Sequence, residues 1–481
     1  MYLILNTSYK LFMFDLKMKN KSLAMLLIMF LLFSSMFCDP AMVFAMSNTN
    51  SAAQDAASPT ASEAELQKAL AKRSSDYVDQ FIAGNFSNFY NEASEQLKQL
   101  ITLDALTQGW NQVMLISGNP IKPISSTYTQ QNGLDIISVA WECILYDVTI
   151  VFRYNSDQQV VGLNTMYTPK TPPKPQSTAK WKEVSVSVGK KNLPGMLTLP
   201  KGVKKPPVII LIQGSGSSDM NEAIGNAPLR PFEDIAHGLA ERGIATLRYN
   251  KRSYQYPSVA VDSIEYEMLE DAKAAVKLLS TDKRIDTNQI YLLGHSLGGM
   301  MAPKITADNP KIKGFISMAG TLRSLLDVSM DQTEAIINAE PSLSLQQKKA
   351  YIAQNQAEIN KIKNIKEDDG TIVAGIPASY WKSLNDIDSI SIVKKLKVPM
   401  LILQGEEDFQ VYADKDFKLW KTTLKNHKNV TYKLYPGLSH LFMTKQISKN
   451  GAPDISLYNA PNHVDKQVIK DIAAWVKSLK K

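Results

Sequence analysis

Residues 289–305 read QIYLLGHSLGGMMAPKI, and this stretch decides the fold. Ile290 to Leu293 form a short apolar run of the kind that fills a buried strand. Gly294-His295-Ser296-Leu297-Gly298 follows directly, a G-x-S-x-G pattern, and helix-forming residues continue from Leu297. A strand that turns sharply into a helix lifts the serine hydroxyl clear of the sheet. The residues two positions to either side of the serine, Gly294 and Gly298, have to be small, because side chains there would collide inside so tight a turn. The new helix also offers unpaired N–H groups and the positive end of its dipole, which suits an oxygen that gains negative charge during a reaction. Two glycines and a serine meet by chance in many chains. The strand before and the helix after are what make Ser296 a candidate nucleophile.

A serine hydroxyl is a weak nucleophile without a base beside it. The chain has five histidines: His237, His295, His427, His440 and His463. His295 lies inside the turn and is expected to point elsewhere, His237 falls in an early helix, and His427 lies in the polar stretch KNHKN. His440 stands in the loop GLSHLF after the strand VTYKLYP, which fits the order serine, acid, histidine along such a chain. His463, at the start of the last helix, is the runner-up. The acid is expected after the preceding strand, in MLILQGEEDFQV (400–411). Asp408, three residues past Gly405, is the expected partner that holds the imidazole in its working tautomer. Glu407 and Asp414 are the alternatives, and both read as solvated charges. The oxyanion donors are expected to be the Leu297 N–H and one N–H from Gln213-Gly214-Ser215-Gly216, with Ser215 preferred over Gly216. GSGSS lacks the Lys-Ser/Thr and the glycine spacing of a phosphate-binding loop.

Strands and helices alternate on both sides of this turn. The strands are WKEVSVSVG, MLTLP, Val208 to Ile212, IATLRY, QIYLLG, KGFISMAG, VPMLILQG and VTYKLYP. Helices are expected over Pro231–Arg242, Ser263–Leu279, from Leu297, near Lys415–Leu424 and over Val464–Leu479. Short apolar strands alternating with helices predict a mostly parallel sheet covered on both faces. Residues 321–395 break the rhythm, being helical, polar and rich in Gln and Lys, and read as an inserted helical cap.

Ahead of residue 181 the pattern differs. Leu66, Leu70, Tyr77 and Phe81 recur at helical spacing between Glu63 and Leu115, and the strand-like runs DIISVAWEC, ILYDVTIVFRY and QQVVGLNTMY follow. Helices then strands predict a small α+β domain over 63–167, joined by the proline-rich linker 168–180 to a catalytic domain over 181–481. Residues 46–62, rich in Ser, Ala, Asn and Thr, read as a flexible leader. Residues 1–45 read as a signal peptide: Lys17, Lys19 and Lys21, the uncharged apolar run 22–38, then Val43-Phe44-Ala45 at the cleavage site. Asp39-Pro40 ends the apolar run short of a membrane span. Phe37 is too bulky before Cys38 for lipoprotein processing. Met18 opens MKNKS, a more ordinary signal start than Met1. The chain is therefore expected to be secreted. After cleavage it keeps one cysteine, Cys143, in a strand-like run.

With 44% hydrophobic and 21% charged residues, the 481-residue chain is neither disordered nor a multi-span membrane protein. Two cysteines build no disulfide scaffold, and no Cys/His cluster suggests a metal. The formal charge of +8 comes from dispersed residues without a nucleic-acid-binding motif, so no nucleic acid, metal or organic cofactor is expected.

Residues 181–481 resemble the α/β-hydrolase superfamily and, more narrowly, bacterial esterase-D-like carboxylesterases bordering on the serine aminopeptidase group. QGSGSSDMNE, GIATLRYNKR, GHSLGGMMAP, LILQGEEDFQV and LYPGLSHLF carry the resemblance, in order, across about 230 residues. It implies an α/β-hydrolase fold and a triad of Ser296, Asp408 and His440. The chain departs from the usual pattern at Ser217, Ser218, Met220 and Asn221, and has Asn250 where the group has Asp. The front domain resembles an accessory domain found ahead of such hydrolases in Gram-positive secreted proteins.

The expected function is a secreted serine carboxylester hydrolase that takes a small-molecule ester and passes through an acyl-enzyme. A peptidase or an acyltransferase on the same triad is the alternative. A non-catalytic cell-surface binding protein is the remaining reading. The front domain is the candidate for cell-wall association, and Tyr380-Trp381 of the cap read as core aromatics or as selectors of substrate.

Overall fold

A computed structural model describes residues 60–444, 452 and 454–479. The expected signal peptide, and the leader as far as residue 59, lie outside the described residues. The chain divides into two compact units, chiefly on either side of Thr171 and Pro172.

The front unit opens with four helices, α1 (Ala61–Ile82), α2 (Ser87–Glu92), α3 (Glu95–Leu100) and α4 (Leu103–Ser117). Helix α1 starts two residues before Glu63. Thr60 accepts the Glu63 N–H while the Glu63 carboxylate accepts the Thr60 N–H, a reciprocal cap that satisfies two end donors. An antiparallel sheet follows in the order β1 (Pro120–Gln131), β2 (Leu134–Cys143), β3 (Tyr146–Tyr154), β4 (Val160–Pro169). Strand β1 lies outside the three strands expected from sequence. Its PIKPISSTYTQQ is exposed along almost its whole length, so it carries no apolar alternation to be recognised. Leu70, Tyr77, Val78 and Phe81 form one stripe of α1 and meet Ile137, Val139, Ile150 and Phe152, which alternate along β2 and β3. Cys143 is buried at the end of β2, and burial pushes its thiol up from the ordinary value. That removes the thiolate on which cysteine chemistry depends.

The second unit holds an eight-stranded sheet. Its elements run β5 (Trp181–Val188), β6 (Leu193–Pro200), β7 (Val208–Ile212), α5 (Pro231–Ala240), β8 (Ala245–Tyr249), α6 (Arg252–Gln255), α7 (Glu270–Leu279), β9 (Ile290–His295), α8 (Leu297–Asp308) and β10 (Ile312–Met318). The inserted segment carries α9 (Leu325–Ala339), α10 (Leu345–Lys363), the two-residue strands β11 (Ile372–Val373) and β12 (Ile376–Pro377), α11 (Ala378–Asn385) and α12 (Ser389–Lys395). The sheet then resumes with β13 (Met400–Gly405), α13 (Lys418–Thr423), β14 (Val430–Tyr435) and α14 (Lys466–Ser478). Helix α12, the last part of the insertion, packs on α8. The small β11–β12 hairpin, with Ala374 and Gly375 both at positive φ, is a feature the polar sequence of the cap did not announce.

The strand order is β14-β13-β10-β9-β7-β8-β6-β5. Strands β8, β7, β9, β10, β13 and β14 are parallel, and β5 and β6 add an antiparallel edge. Residues of β7 and β9 alternate between the faces, and Ile209, Leu211, Tyr291 and Leu293 join Phe232, Ile235, Val468 and Ile472 of α5 and α14 in one core. The chain leaves β7 toward β8 and returns across it to β9. This reversal makes the carboxyl ends of β7 and β9 the switch point of the sheet, the place where sheets of this kind bind ligands.

Candidate active site

Strands β7 and β9 pair as far as Ile212 and Gly294, so the loops that leave them begin side by side. Ser296 follows β9 at φ 52° and ψ −115°. Positive φ in a non-glycine residue costs of order 1–3 kcal/mol and persists only where the surroundings enforce it. Here they do. A Cβ on Gly298 would lie 2.3 Å from the Ile212 carbonyl oxygen, and one on Gly294 would lie 2.0 Å from the Gly298 oxygen. The Ser296 N–H donates to Met318 O at 2.9 Å, which ties the turn to the end of β10. Leu297 is the first residue of α8, so its N–H has no partner within the helix.

The loop after β7 lies against the serine: a Cβ on Gly214 would be 3.1 Å from the Ser296 Cβ. Ser215 is partly exposed there, and Gly216 adopts φ 85°. Among the described residues, neither the Ser215 nor the Gly216 N–H meets a backbone acceptor outside regular elements.

Asp408 and His440 leave the same end of the sheet, after β13 and β14. The His440 Nδ1–H donates to Asp408 Oδ2 at 2.9 Å, and both side chains are buried. Gln404 Nε2 donates to the same Oδ2 at 2.9 Å, while the Gln410 and Val411 N–H groups donate to Oδ1 at 2.8 and 2.9 Å. The carboxylate is thus held by four donors and has one orientation. Glu407 and Asp414 are exposed. The remaining histidines are occupied elsewhere. His463, with an 84% exposed side chain, pairs with Asp234, His427 donates to Leu396 O, and His237 stacks on Trp181.

His295 is the residue that sequence reading undervalued. Its ring packs against that of His440, with centroids 4.7 Å apart. Its Nε2–H donates to the His440 backbone carbonyl at 3.1 Å and its Nδ1 pairs with Glu222 Oε1 at 3.0 Å. The same Glu222 oxygen accepts the Gly214 N–H at 2.5 Å. Burial by itself would lower the His295 pKa, but the Glu222 carboxylate beside it reverses this and raises it. One carboxylate therefore ties together the loop after β7, the turn at Ser296 and the His440 loop. Asn250, the departure noted in the sequence, accepts the Met220 N–H at 2.9 Å and donates to Gln255 Oε1 at 3.0 Å, the second of which an aspartate could not do. Tyr380 and Trp381 are fully buried in α11, as core aromatics.

Esterase EstD of Thermotoga maritima is 32% identical to this chain over 414 residues, covering 83% of this chain and 93% of its own length. The chain belongs to the esterase-D-like branch of the α/β-hydrolase superfamily. It is a serine hydrolase, with the α/β-hydrolase fold preceded by a small α+β unit. The family described as serine aminopeptidase, S33, matches residues 229–446. Among solved structures, Est1E from Butyrivibrio proteoclasticus is 19% identical, with a TM-score of 0.38, over 61% of this chain and 99% of its own. An esterase of Pyrococcus furiosus is 14% identical, with a TM-score of 0.40, over 63% of this chain and 92% of its own.

Proposed function

We propose that the chain is a secreted carboxylester hydrolase in which Ser296, His440 and Asp408 act as nucleophile, base and orienting acid. The observation that carries this reading is the buried His440–Asp408 pair at the same sheet end as Ser296, whose turn is held at positive φ. His440 Nδ1 is committed to Asp408, which leaves Nε2 as the nitrogen that takes the Ser296 proton. Ser296 Oγ bonds to the ester carbonyl carbon, and the carbonyl electron pair moves onto its oxygen. The N–H groups of Leu297 and Ser215 stabilise that oxyanion. The oxyanion collapses, the C–O bond to the alcohol breaks, and His440 returns its proton to the departing alkoxide. Water then attacks the acyl-Ser296 ester by the same steps in reverse, releasing the acid.

Ester over amide is supported by the name of the relative that aligns along most of the chain. The serine aminopeptidase match supports the second reading, a peptidase on the same three residues. p-Nitrophenyl esters from acetate to laurate, compared with aminoacyl p-nitroanilides, separate the two. Faster turnover of the anilides would replace the ester reading with the peptidase one. Secretion rests on the lysines and apolar run of residues 17–38, and its test is N-terminal sequencing of protein recovered from culture medium, with Met46 expected first.

A further inference from the structure

Lys251 lies between β8 and α6 and takes no part in the chemistry proposed above, yet it is 3% exposed. Its ammonium donates to the Gly214 carbonyl at 2.9 Å, to the Gly216 carbonyl at 2.9 Å and to Glu267 Oε1. Those three bonds use every N–H of the group. The other Glu267 oxygen accepts the Tyr380 hydroxyl at 2.6 Å, and Glu267 and Tyr380 are 1% and 0% exposed. Burial first, and then the Glu267 charge, push the Tyr380 hydroxyl well above its ordinary pKa, so it stays a donor.

The consequence follows from peptide planarity. In a trans peptide the C=O and the N–H point in opposite directions. The Gly214 carbonyl and the Ser215 N–H belong to one peptide. Pulling that carbonyl onto Lys251 turns the Ser215 N–H away from the ammonium. The preceding peptide is fixed as well, since the Gly214 N–H is bound to Glu222. The loop that lies against Ser296 is therefore gripped on both sides, and the amide between the grips is aimed by them.

We infer that Lys251 is the positioning residue of the oxyanion hole, aiming the Ser215 N–H through the Gly214 carbonyl, and that Tyr380 and Glu267 tie this aim to helix α11 of the cap. The inference rests on the reading of Ser296 as nucleophile. Lys251 touches no reacting atom. Its effect is confined to the transition state, because the ground-state carbonyl asks little of the hole.

The test uses purified protein and p-nitrophenyl butyrate, with wild type, Lys251→Met, Lys251→Met/Glu267→Gln, Tyr380→Phe and Ser296→Ala compared. The second readout is the inhibition constant of an aryl trifluoromethyl ketone, whose serine adduct puts an oxyanion in the hole. Removing one oxyanion donor costs about 10²-fold or more in kcat. Lys251→Met is expected to lose about that much, with KM nearly unchanged and ketone binding weakened in step with kcat/KM. The double variant removes the buried charge left by the first and is expected to show the same loss. Tyr380→Phe is expected to lower kcat several-fold by the same pattern. A folded Lys251 variant with wild-type kcat, or a loss confined to KM with ketone binding intact, overturns the inference. If neither Lys251 variant folds, Tyr380→Phe with unchanged kcat and ketone binding overturns it. Turnover retained by Ser296→Ala would instead overturn the nucleophile reading, and Ser296→Ala inactive beside fully active Lys251 variants would overturn this inference alone.

Discussion

The His295 ring donates its Nε2–H to the backbone carbonyl of His440 at 3.1 Å, so the residue before the candidate nucleophile holds the loop of the candidate base. Its other nitrogen faces Glu222 Oε1 at 3.0 Å. A carbonyl and a carboxylate oxygen both accept, and an imidazole that serves both is best doubly protonated. The raised His295 pKa, set by Glu222 against the opposing effect of burial, agrees with this.

The pH dependence of stability follows. A histidine whose folded pKa lies above its unfolded value of about 6.5 contributes its full stabilisation below that pH. The contribution fades as pH rises through the folded pKa. The gap in Tm between wild type and His295→Gln should therefore be widest below about pH 6.5 and narrow toward alkaline pH. Thermal denaturation from acid to alkaline buffer measures it, and a gap that widens with pH would contradict the assignment.

Asp408→Asn should keep the fold and lose activity. With its oxygen in the place of Oδ1 the asparagine still accepts the Gln410 and Val411 N–H groups, but its NH₂ then faces Gln404 and His440 and can accept from neither. The imidazole then adopts the wrong tautomer, which in a comparable triad costs about 10⁴ in kcat. Steady-state kinetics with near-UV circular dichroism separates this from misfolding. A loss under tenfold would argue that Asp408 does not orient His440.

Two glycines should respond in opposite directions. Gly298→Ala would put a methyl group 2.3 Å from the Ile212 carbonyl oxygen, which only backbone movement relieves. The cost is expected at or beyond the upper end of about 1–3 kcal/mol for overpacking, with activity lost. Gly109, inside α4, has nothing within 4 Å of an added Cβ. Gly109→Ala should stabilise the front unit by roughly 0.5–1 kcal/mol. Denaturant titration reads both.

The turn at Ser296 was legible because its whole context is local: strand, small residues and helix lie within 17 consecutive positions. Asp408 and His440 were legible from where the strands end. What stayed hidden is carried through space. Glu222 and His295 are 73 residues apart, and Lys251 reaches back 37 residues to Gly214, with no spacing rule to join them. Strand β1 hid behind its own exposure, although Asn132-Gly133, both at positive φ between β1 and β2, marks a hairpin. The start of α1 was likewise written in Thr60 and Glu63 three residues apart.

The central claim is that Ser296 is the nucleophile, and hydrolysis of p-nitrophenyl butyrate by wild type and Ser296→Ala, side by side, tests it most directly. Loss of the serine is expected to lower kcat by about 10⁶, with the fold unchanged. A Ser296→Ala protein that turns over within tenfold of wild type would contradict the account.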